Sequence, residues 1–235
     1  MGRSLRLAAA QAVLRDRPCV RVHTTGATGQ QLGADTAELD YLLALQESRT
    51  DDEQKWADHL AGVYYHPLVT NPADPRFTPN RDNLFFVGRG LGPWYSRGSM
   101  PKTSELLARV SHDAMIQMVE LKLKYARPRP HHLEPRLRAT DAKIPHGSYP
   151  SGHSFLSYLN AEVLSRFAPH RQNDLMRSAL DMAWSRELLG VHYPSDSEAG
   201  RLFVKDFLRL LFENTAFRQA FDEARQEWPR PGSTY

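Results

Sequence analysis

The stretch TSELLARVSHDAMIQMVELKLKY, residues 103–125, has the clearest periodic pattern in the chain. Its apolar residues recur at spacings of three and four, which is typical of one face of an α-helix. These apolar positions are Leu107, Val110, Ala114, Met118, Leu121 and Tyr125. The pattern predicts a long helix that begins near Thr103 or Ser104, either of which can serve as its N-cap. The sequence RPRP at residues 127–130 ends it, because a proline disfavours the α conformation in the residue before it.

Weaker helical patterns lie on both sides of this helix. Helices are expected from residue 35 onward and over about residues 53–63, 151–167, 173–189, 194–212 and 216–227. Residues 64–101 are rich in proline and glycine and are expected to form loops with at most short helical pieces. Because the sequence shows neither strand alternation nor an internal repeat, we predict an all-α, single-domain bundle over residues 35–229. Residues 1–34 are interpreted as a poorly patterned lead-in.

Composition excludes several classes of protein. With 235 residues, of which 41% are hydrophobic, the chain can bury a core of its own. Its single cysteine, Cys19, rules out an intramolecular disulfide and a cysteine-based zinc cluster. The longest uncharged stretch, residues 144–161, carries histidines, prolines and hydroxyl groups and cannot be a transmembrane helix. The 30 basic and 27 acidic residues nearly balance, without a basic run, so we expect no nucleic-acid partner.

Three basic residues occupy unusual positions. Lys122 lies at the edge of the apolar face of the long helix, and Arg186 lies on the apolar stripe of a later one. A buried salt bridge, such as Arg186 with Asp196, would explain any one of them. Together with Arg129, however, they outnumber the one inward-facing carboxylate, Asp196. This excess of positive charge predicts an external anion, and phosphate matches the forked donors of arginine.

Two further features are consistent with an anion site. The sequence PSGH at residues 150–153 places a hydroxyl, a glycine and an imidazole at a predicted helix start, where free N–H groups bind anions. An ordinary capped turn is the alternative. His192 and Asp196 are four residues apart, so the carboxylate can accept from one ring nitrogen and leave the other basic. A purely structural pair is the alternative here.

Taken in order, these segments resemble a family signature. Its parts here are Lys122 with Arg129-Pro130, then PSGH at 150–153, then Ser185-Arg186 with His192 and Asp196. The pattern resembles the three-part signature of the type 2 phosphatidic acid phosphatase and vanadium haloperoxidase superfamily. It covers about residues 106–211 and is most similar to the soluble bacterial class A nonspecific acid phosphatases. The resemblance implies an active site formed by helix ends and loops at one end of the core helices.

The resemblance also implies a role for each matching residue. His192 would be the nucleophile, Asp196 would orient it, and His153 would act as general acid and base. The phosphate-binding residues would be Lys122, Arg129, Ser151, Gly152 and Arg186. His146 is close enough along the chain to border this site. The aromatic-rich residues 83–99 would form either a rim or lid over the substrate or a packed structural loop.

The expected activity is metal-independent hydrolysis of phosphate monoesters through a phosphohistidine, with no cofactor. A vanadate-dependent haloperoxidase, in which vanadate is the cofactor, and a non-catalytic phosphate-binding protein are the alternatives. We expect a small phosphorylated substrate and no membrane span, and leave homo-oligomerisation open. The family resemblance implies a periplasmic or secreted protein. The short apolar stretch at residues 7–14, however, is not a clear signal peptide, which leaves the cytoplasm as the other location.

Overall fold

The structure, a computed structural model, describes residues 36–140 and 144–229, and all regular secondary structure in these ranges is helical. The helices are α1 (Thr36–Ser48), α2 (Asp51–Ala61), α3 (Phe77–Asp82), α4 (Pro101–Tyr125), α5 (Pro130–Leu133), α6 (Gly152–Phe167), α7 (Gln172–Leu188), α8 (Pro194–Glu213) and α9 (Thr215–Arg225). Short 3₁₀ turns occupy Asn83–Phe85, Arg89–Leu91 and Pro169–Arg171. The all-α prediction is confirmed, and the predicted lead-in over residues 1–34 lies outside the described residues.

The long helix α4 begins earlier than its sequence pattern predicted. Its first residue is Pro101, so the prediction of an N-cap at Thr103 or Ser104 is wrong. Proline is favoured at this position because it has no N–H group that would need a partner. The carboxylate of Glu227 accepts hydrogen bonds from the backbone N–H groups of Lys102 (2.7 Å) and Thr103 (2.8 Å). The cap therefore comes from the C-terminal end of the chain, which a local pattern cannot reveal.

Helix α6 lies at the centre of the bundle and is buried along most of its length. It packs mainly against α7 and α8, and also against α4. Its close approach to α8 depends on Gly200, where an added Cβ would lie 2.9 Å from the backbone nitrogen of Phe155 and from the carbonyl oxygen of Ser151. This contact brings the starts of the two helices together, and the N–H of Ser151 donates to the carbonyl of Asp196 at 3.0 Å.

The proline-rich segment between α2 and α4 packs on the core. Phe85 and Tyr95 are buried in it, and Trp94 contacts the ring of Trp228 edge-on. Residues 83–99 therefore form a packed structural loop rather than a rim or lid over the substrate. Phe86, in this loop, also lines a small cavity beside His153. Within the described residues, every helix is too short or too polar to cross a lipid bilayer.

Candidate active site

The predicted site residues meet where four helices begin or end. Lys122 lies in the last turn of α4, His153 in the first turn of α6, Arg186 in the last turn of α7, and Asp196 in the first turn of α8. Arg129 precedes α5 and His192 precedes α8. Helix ends carry unpaired backbone groups and admit loops, so they can bring together side chains that are distant in sequence. The three cations, the two histidines and the carboxylate interact electrostatically with one another.

The pair predicted from the spacing of His192 and Asp196 is formed. Nδ1 of His192 lies 3.1 Å from Oδ2 of Asp196, which also accepts the N–H of Tyr193 at 3.0 Å. On the other side of the ring, Nε2 lies 3.4 Å from Nη1 of Arg129. Because an arginine nitrogen can only donate, Nε2 must be the acceptor, and the ring hydrogen must be on Nδ1. This tautomer leaves the lone pair of Nε2 beside the buried cations.

The cationic side chains are held by backbone carbonyl groups. Nζ of Lys122 donates to the carbonyls of Gly147 (2.9 Å) and Ser148 (3.2 Å). Arg129 donates to the carbonyls of His146 (3.1 Å) and Val191 (2.8 Å). These carbonyl groups orient the side chains but carry no net charge. Nη2 of Arg129 also lies 3.3 Å from Nδ1 of His146, as expected for a residue that borders the site.

Burial and mutual repulsion weaken the positive charge of this cluster. Burial, followed by the charge of Arg129, lowers the pKa of Lys122 to about 7. Burial, followed by the neighbouring cations, lowers the pKa of His192 and of His153 well below the ordinary histidine value. A bound anion opposes both effects, because its negative charge favours the protonated forms. The electrostatic design of the site therefore favours a negatively charged ligand.

His153 is held by the end of α2. Its Nε2 lies 3.1 Å from the carbonyl oxygen of Ala61, and its ring packs against Tyr64 with centroids 4.8 Å apart. Because a carbonyl only accepts hydrogen bonds, Nε2 carries the hydrogen, and in a neutral ring Nδ1 is the basic nitrogen. This contact cannot be predicted from sequence, because a backbone carbonyl group at a helix end has no residue signature.

The helix start at Ser151 and Gly152 also has a structural role. Oγ of Ser151 accepts the N–H of Ser154 at 3.4 Å, as in the ordinary capped turn. A Cβ at Gly152 would lie 2.5 Å from Sδ of Met118, so any larger residue here would have to displace the end of that buried side chain.

Two buried charged residues beside this site, Arg127 and Glu38, were not predicted from the sequence. Asp196 pairs with Arg127, whose Nη1 lies 2.8 Å from Oδ1. Arg127 also pairs with Glu38 of α1, at 2.9 Å. The expectation of a single inward-facing carboxylate is therefore wrong, since Glu38 and Glu187 are both buried. Arg127 had been interpreted only as part of the helix-ending sequence, and Glu38 lies too far away in sequence for any spacing argument.

A cavity of about 30 Å³ adjoins His153, enough for a water-sized molecule. Its lining includes Tyr64, Phe86, Ser111 and Asn160. Oγ of Ser111 and Oδ1 of Asn160 are buried and find no hydrogen-bond partner among the described residues. Both atoms could be satisfied by water.

Comparison with known proteins finds a family match and several relatives. Residues 106–204 match the PAP2 superfamily, and this segment contains the signature described in the sequence. It is similar to a non-specific acid phosphatase of Providencia stuartii, with 28% identity over 135 residues that cover 55% of this chain and 54% of that protein. It is also similar to a non-specific acid phosphatase of Salmonella typhi, with 29% identity over 182 residues that cover 75% of this chain and 64% of that protein. The chain thus spans less than two thirds of the length of these relatives.

A more distant likeness involves a solved structure. The transmembrane PAP2-type phosphatidylglycerolphosphate phosphatase of Bacillus subtilis covers 74% of this chain, with 19% identity. Its TM-score of 0.46 is too low to add to the argument.

Proposed function

We propose that this protein hydrolyses small phosphate monoesters through a phosphohistidine formed on Nε2 of His192. The observation that carries this proposal is the tautomer of His192. Its Nδ1 is paired with Asp196, and the lone pair of its Nε2 lies beside Arg129 and close to two more buried cations. A protein that only binds phosphate needs the cations, but it does not need an oriented and basic imidazole among them. The similarity to two non-specific acid phosphatases supports the same reading.

The first step transfers the phosphoryl group to the protein. Lys122, Arg129 and Arg186 bind the non-bridging oxygens, and the lone pair of Nε2 of His192 forms the P–N bond as the bond from phosphorus to the leaving oxygen breaks. His153 gives its proton to that oxygen, so the product leaves as an alcohol. Asp196 stabilises the positive charge that His192 acquires, as the carboxylate of a catalytic triad does.

The second step releases phosphate. His153, now neutral, accepts a proton from a water molecule that attacks phosphorus, and the P–N bond breaks. The electrons of that bond return to Nε2, which restores the starting tautomer. The three buried cations stabilise the charge on the phosphoryl oxygens in both steps, which is the role that metal ions have in other phosphatases. We therefore propose that no metal cofactor takes part.

The charge of the substrate prepares His153 for its role. In the free protein, burial and Arg186 hold its pKa well below the ordinary value, so the ring is neutral at neutral pH. A phosphate dianion at the site raises this pKa, because it offsets the charges of the cations. The acid is thus protonated when the substrate is present.

The proposal is tested by replacing the nucleophile. His192→Ala should abolish hydrolysis of p-nitrophenyl phosphate in the presence of EDTA, while the circular dichroism spectrum stays unchanged. Rapid acid quenching should trap an acid-labile phosphoryl group on the unmodified protein and none on the variant. His112→Ala, which replaces an exposed histidine on α4, is the matched control and should keep full activity. A variant at position 192 with the original turnover, or activity that requires an added metal ion, would contradict the proposal.

A further inference from the structure

The geometry points to Glu38 and Arg127 as positioning residues, which hold Asp196 in the orientation that directs Nε2 of His192 toward the substrate. This inference rests on the function proposed above and adds two residues to it. Glu38 belongs to α1, outside the segment 106–204 that matches the superfamily. A part of the chain beyond the family's signature would therefore complete the active site.

The connection from Glu38 to His192 is continuous. Nη2 of Arg127 donates to Oε2 of Glu38 at 2.9 Å, and Nη1 donates to Oδ1 of Asp196 at 2.8 Å. The other oxygen of Asp196, Oδ2, meets Nδ1 of His192 at 3.1 Å. The side chains of all four residues are less than a tenth exposed. Ion pairs this well buried are screened little by water or salt. A change in the charge or position of one residue therefore affects the residue paired with it.

The orientation of the planar guanidinium group of Arg127 is also fixed by its neighbours. Its guanidinium carbon lies 3.8 Å above the centre of the Tyr193 ring, and Nη1 donates to Oγ of Ser195 at 2.7 Å. A planar guanidinium with one nitrogen on each carboxylate and a ring beneath it has little freedom to rotate. Arg127 can therefore hold Oδ1 of Asp196 in place and leave Oδ2 for His192.

Glu38 holds the start of α8, the helix that carries Asp196. Its Oε1 accepts the backbone N–H of Ser195 at 2.7 Å, and its Oε2 accepts the hydroxyl of the same residue at 2.9 Å. The N–H of Ser195 is one of the unpaired groups at the helix start, where a carboxylate is favoured. Glu38 therefore fixes both Arg127 and the helix turn that presents Asp196.

Asp196 needs this support because it is completely buried. Burial raises its pKa, while the charge of Arg127 and the N–H of Tyr193 act in the opposite direction. A protonated Asp196 would no longer stabilise a hydrogen on Nδ1 of His192. The reactive tautomer would then no longer be favoured over the other one. The charged or titratable groups around Asp196 are Arg127, Lys122, His192, Tyr149, Tyr193 and, through Arg127, Glu38.

The test uses isosteric and conservative changes in the full chain. Arg127→Gln removes the charge but keeps a side-chain donor, Arg127→Lys keeps the charge, and Glu38→Gln removes the carboxylate charge at constant shape. With p-nitrophenyl phosphate, Arg127→Gln and Glu38→Gln should each lower kcat by about 10- to 100-fold, with KM within about twofold of the original. The acid limb of the kcat profile should move to higher pH in Arg127→Gln, because Asp196 loses its cation, and should return toward the original position in Arg127→Lys.

A second readout does not depend on turnover. Nitrogen-15 spectra of labelled histidine should report His192 with its hydrogen on Nδ1 in the unmodified protein, and a mixture of tautomers in Glu38→Gln. Glu213→Gln, which breaks an exposed pair with Arg209, is the matched control and should change neither kcat nor the spectrum. If Arg127→Gln does not fold, Glu38→Gln decides the question.

The outcomes separate this inference from the proposed function. An original kcat, or an unchanged His192 tautomer, in folded Glu38→Gln would overturn the positioning role and leave the phosphatase proposal intact. An unmodified protein without phosphatase activity would overturn the proposed function, while the spectra would still test whether Glu38 and Arg127 control the tautomer.

Discussion

Anion binding should draw protons into the site, and Lys122 should be the group that takes one up at alkaline pH. In the free protein, burial and Arg129 hold the pKa of this lysine at about 7, compared with an ordinary value of 10.5. A doubly charged anion beside Nζ favours the protonated amine and should restore a pKa near the ordinary one. Binding above pH 7 should therefore be coupled to uptake of one proton, and affinity should fall as the pH rises.

The size of this effect follows from the two pKa values. If the pKa of Lys122 changes from about 7 to near its ordinary value of 10.5 on binding, the association constant should fall about 50-fold between pH 7 and pH 9, or about 2 kcal/mol. The contribution of Lys122 to the uptake should be about half a proton at pH 7 and about one proton at pH 8.5, and any proton that His153 takes up is additional. Below pH 7 the lysine is already charged, so its contribution should disappear.

Sulfate is a suitable probe, because it remains a dianion over this range and resembles phosphate. Isothermal titration calorimetry in buffers with different ionisation enthalpies gives the number of protons taken up directly. Lys122→Met should remove about one proton from the uptake between pH 8 and pH 9.5, whereas Lys124→Met, which replaces an exposed neighbour at the end of the same helix, should leave the uptake unchanged. Equal uptake by the protein and its Lys122→Met variant would refute the reasoning, because the proton would then enter elsewhere.

Three further predictions concern the remaining groups of the site. Arg186→Lys replaces a forked donor with a point charge and should lower kcat/KM by at least about tenfold; an original value would show that Arg186 has only a structural role. His153→Ala should slow hydrolysis of an alkyl phosphate about 10²- to 10⁴-fold and that of p-nitrophenyl phosphate much less, because only the alkoxide needs a proton to leave; equal losses would instead indicate a role in binding. Gly152→Ala forces a Cβ to within 2.5 Å of Sδ of Met118 and should lower the free energy of unfolding by about 1–3 kcal/mol. Its control is Gly98→Ala, which meets no atom within 4 Å, and equal melting temperatures for the two variants would contradict the packing argument.

The sequence predicted those parts of the fold that depend on local pattern. The predicted helix over residues 151–167 matches α6 closely, because Ser151 caps it and an apolar run follows. The start of α4 was misplaced because its N–H groups are satisfied by Glu227, more than a hundred residues away. Serine and threonine are common N-caps, but a preference of that kind is outweighed when another part of the chain supplies a carboxylate.

The site residues also divide into those marked by a local sequence pattern and those whose role depends on contacts distant in sequence. Lys122 and Arg186 could be found from sequence because charged residues at apolar positions of a helix require an explanation. His192 could be found because it lies four residues before Asp196. Glu38 could not be found in this way. It is the only acidic residue in the first turn of α1, a place where acidic residues are common on exposed helices, so nothing in its surroundings marks it as buried. Its burial becomes visible only when α1 is placed against the start of α8.

His153 shows a further limit of sequence reasoning and has a mechanistic consequence. The motif at residues 150–153 identified it, but the motif could not show that Nε2 donates to the carbonyl of Ala61. Because the hydrogen on Nε2 is bonded to that carbonyl, it is not the proton that the leaving group receives. In the proposed mechanism the transferred proton must therefore be on Nδ1. A neutral ring in this tautomer has no hydrogen on Nδ1, and the nearby cations keep it neutral in the free protein. In the proposed mechanism, the negative charge of the substrate therefore creates the acid, and proton donation is linked to the arrival of a phosphate group.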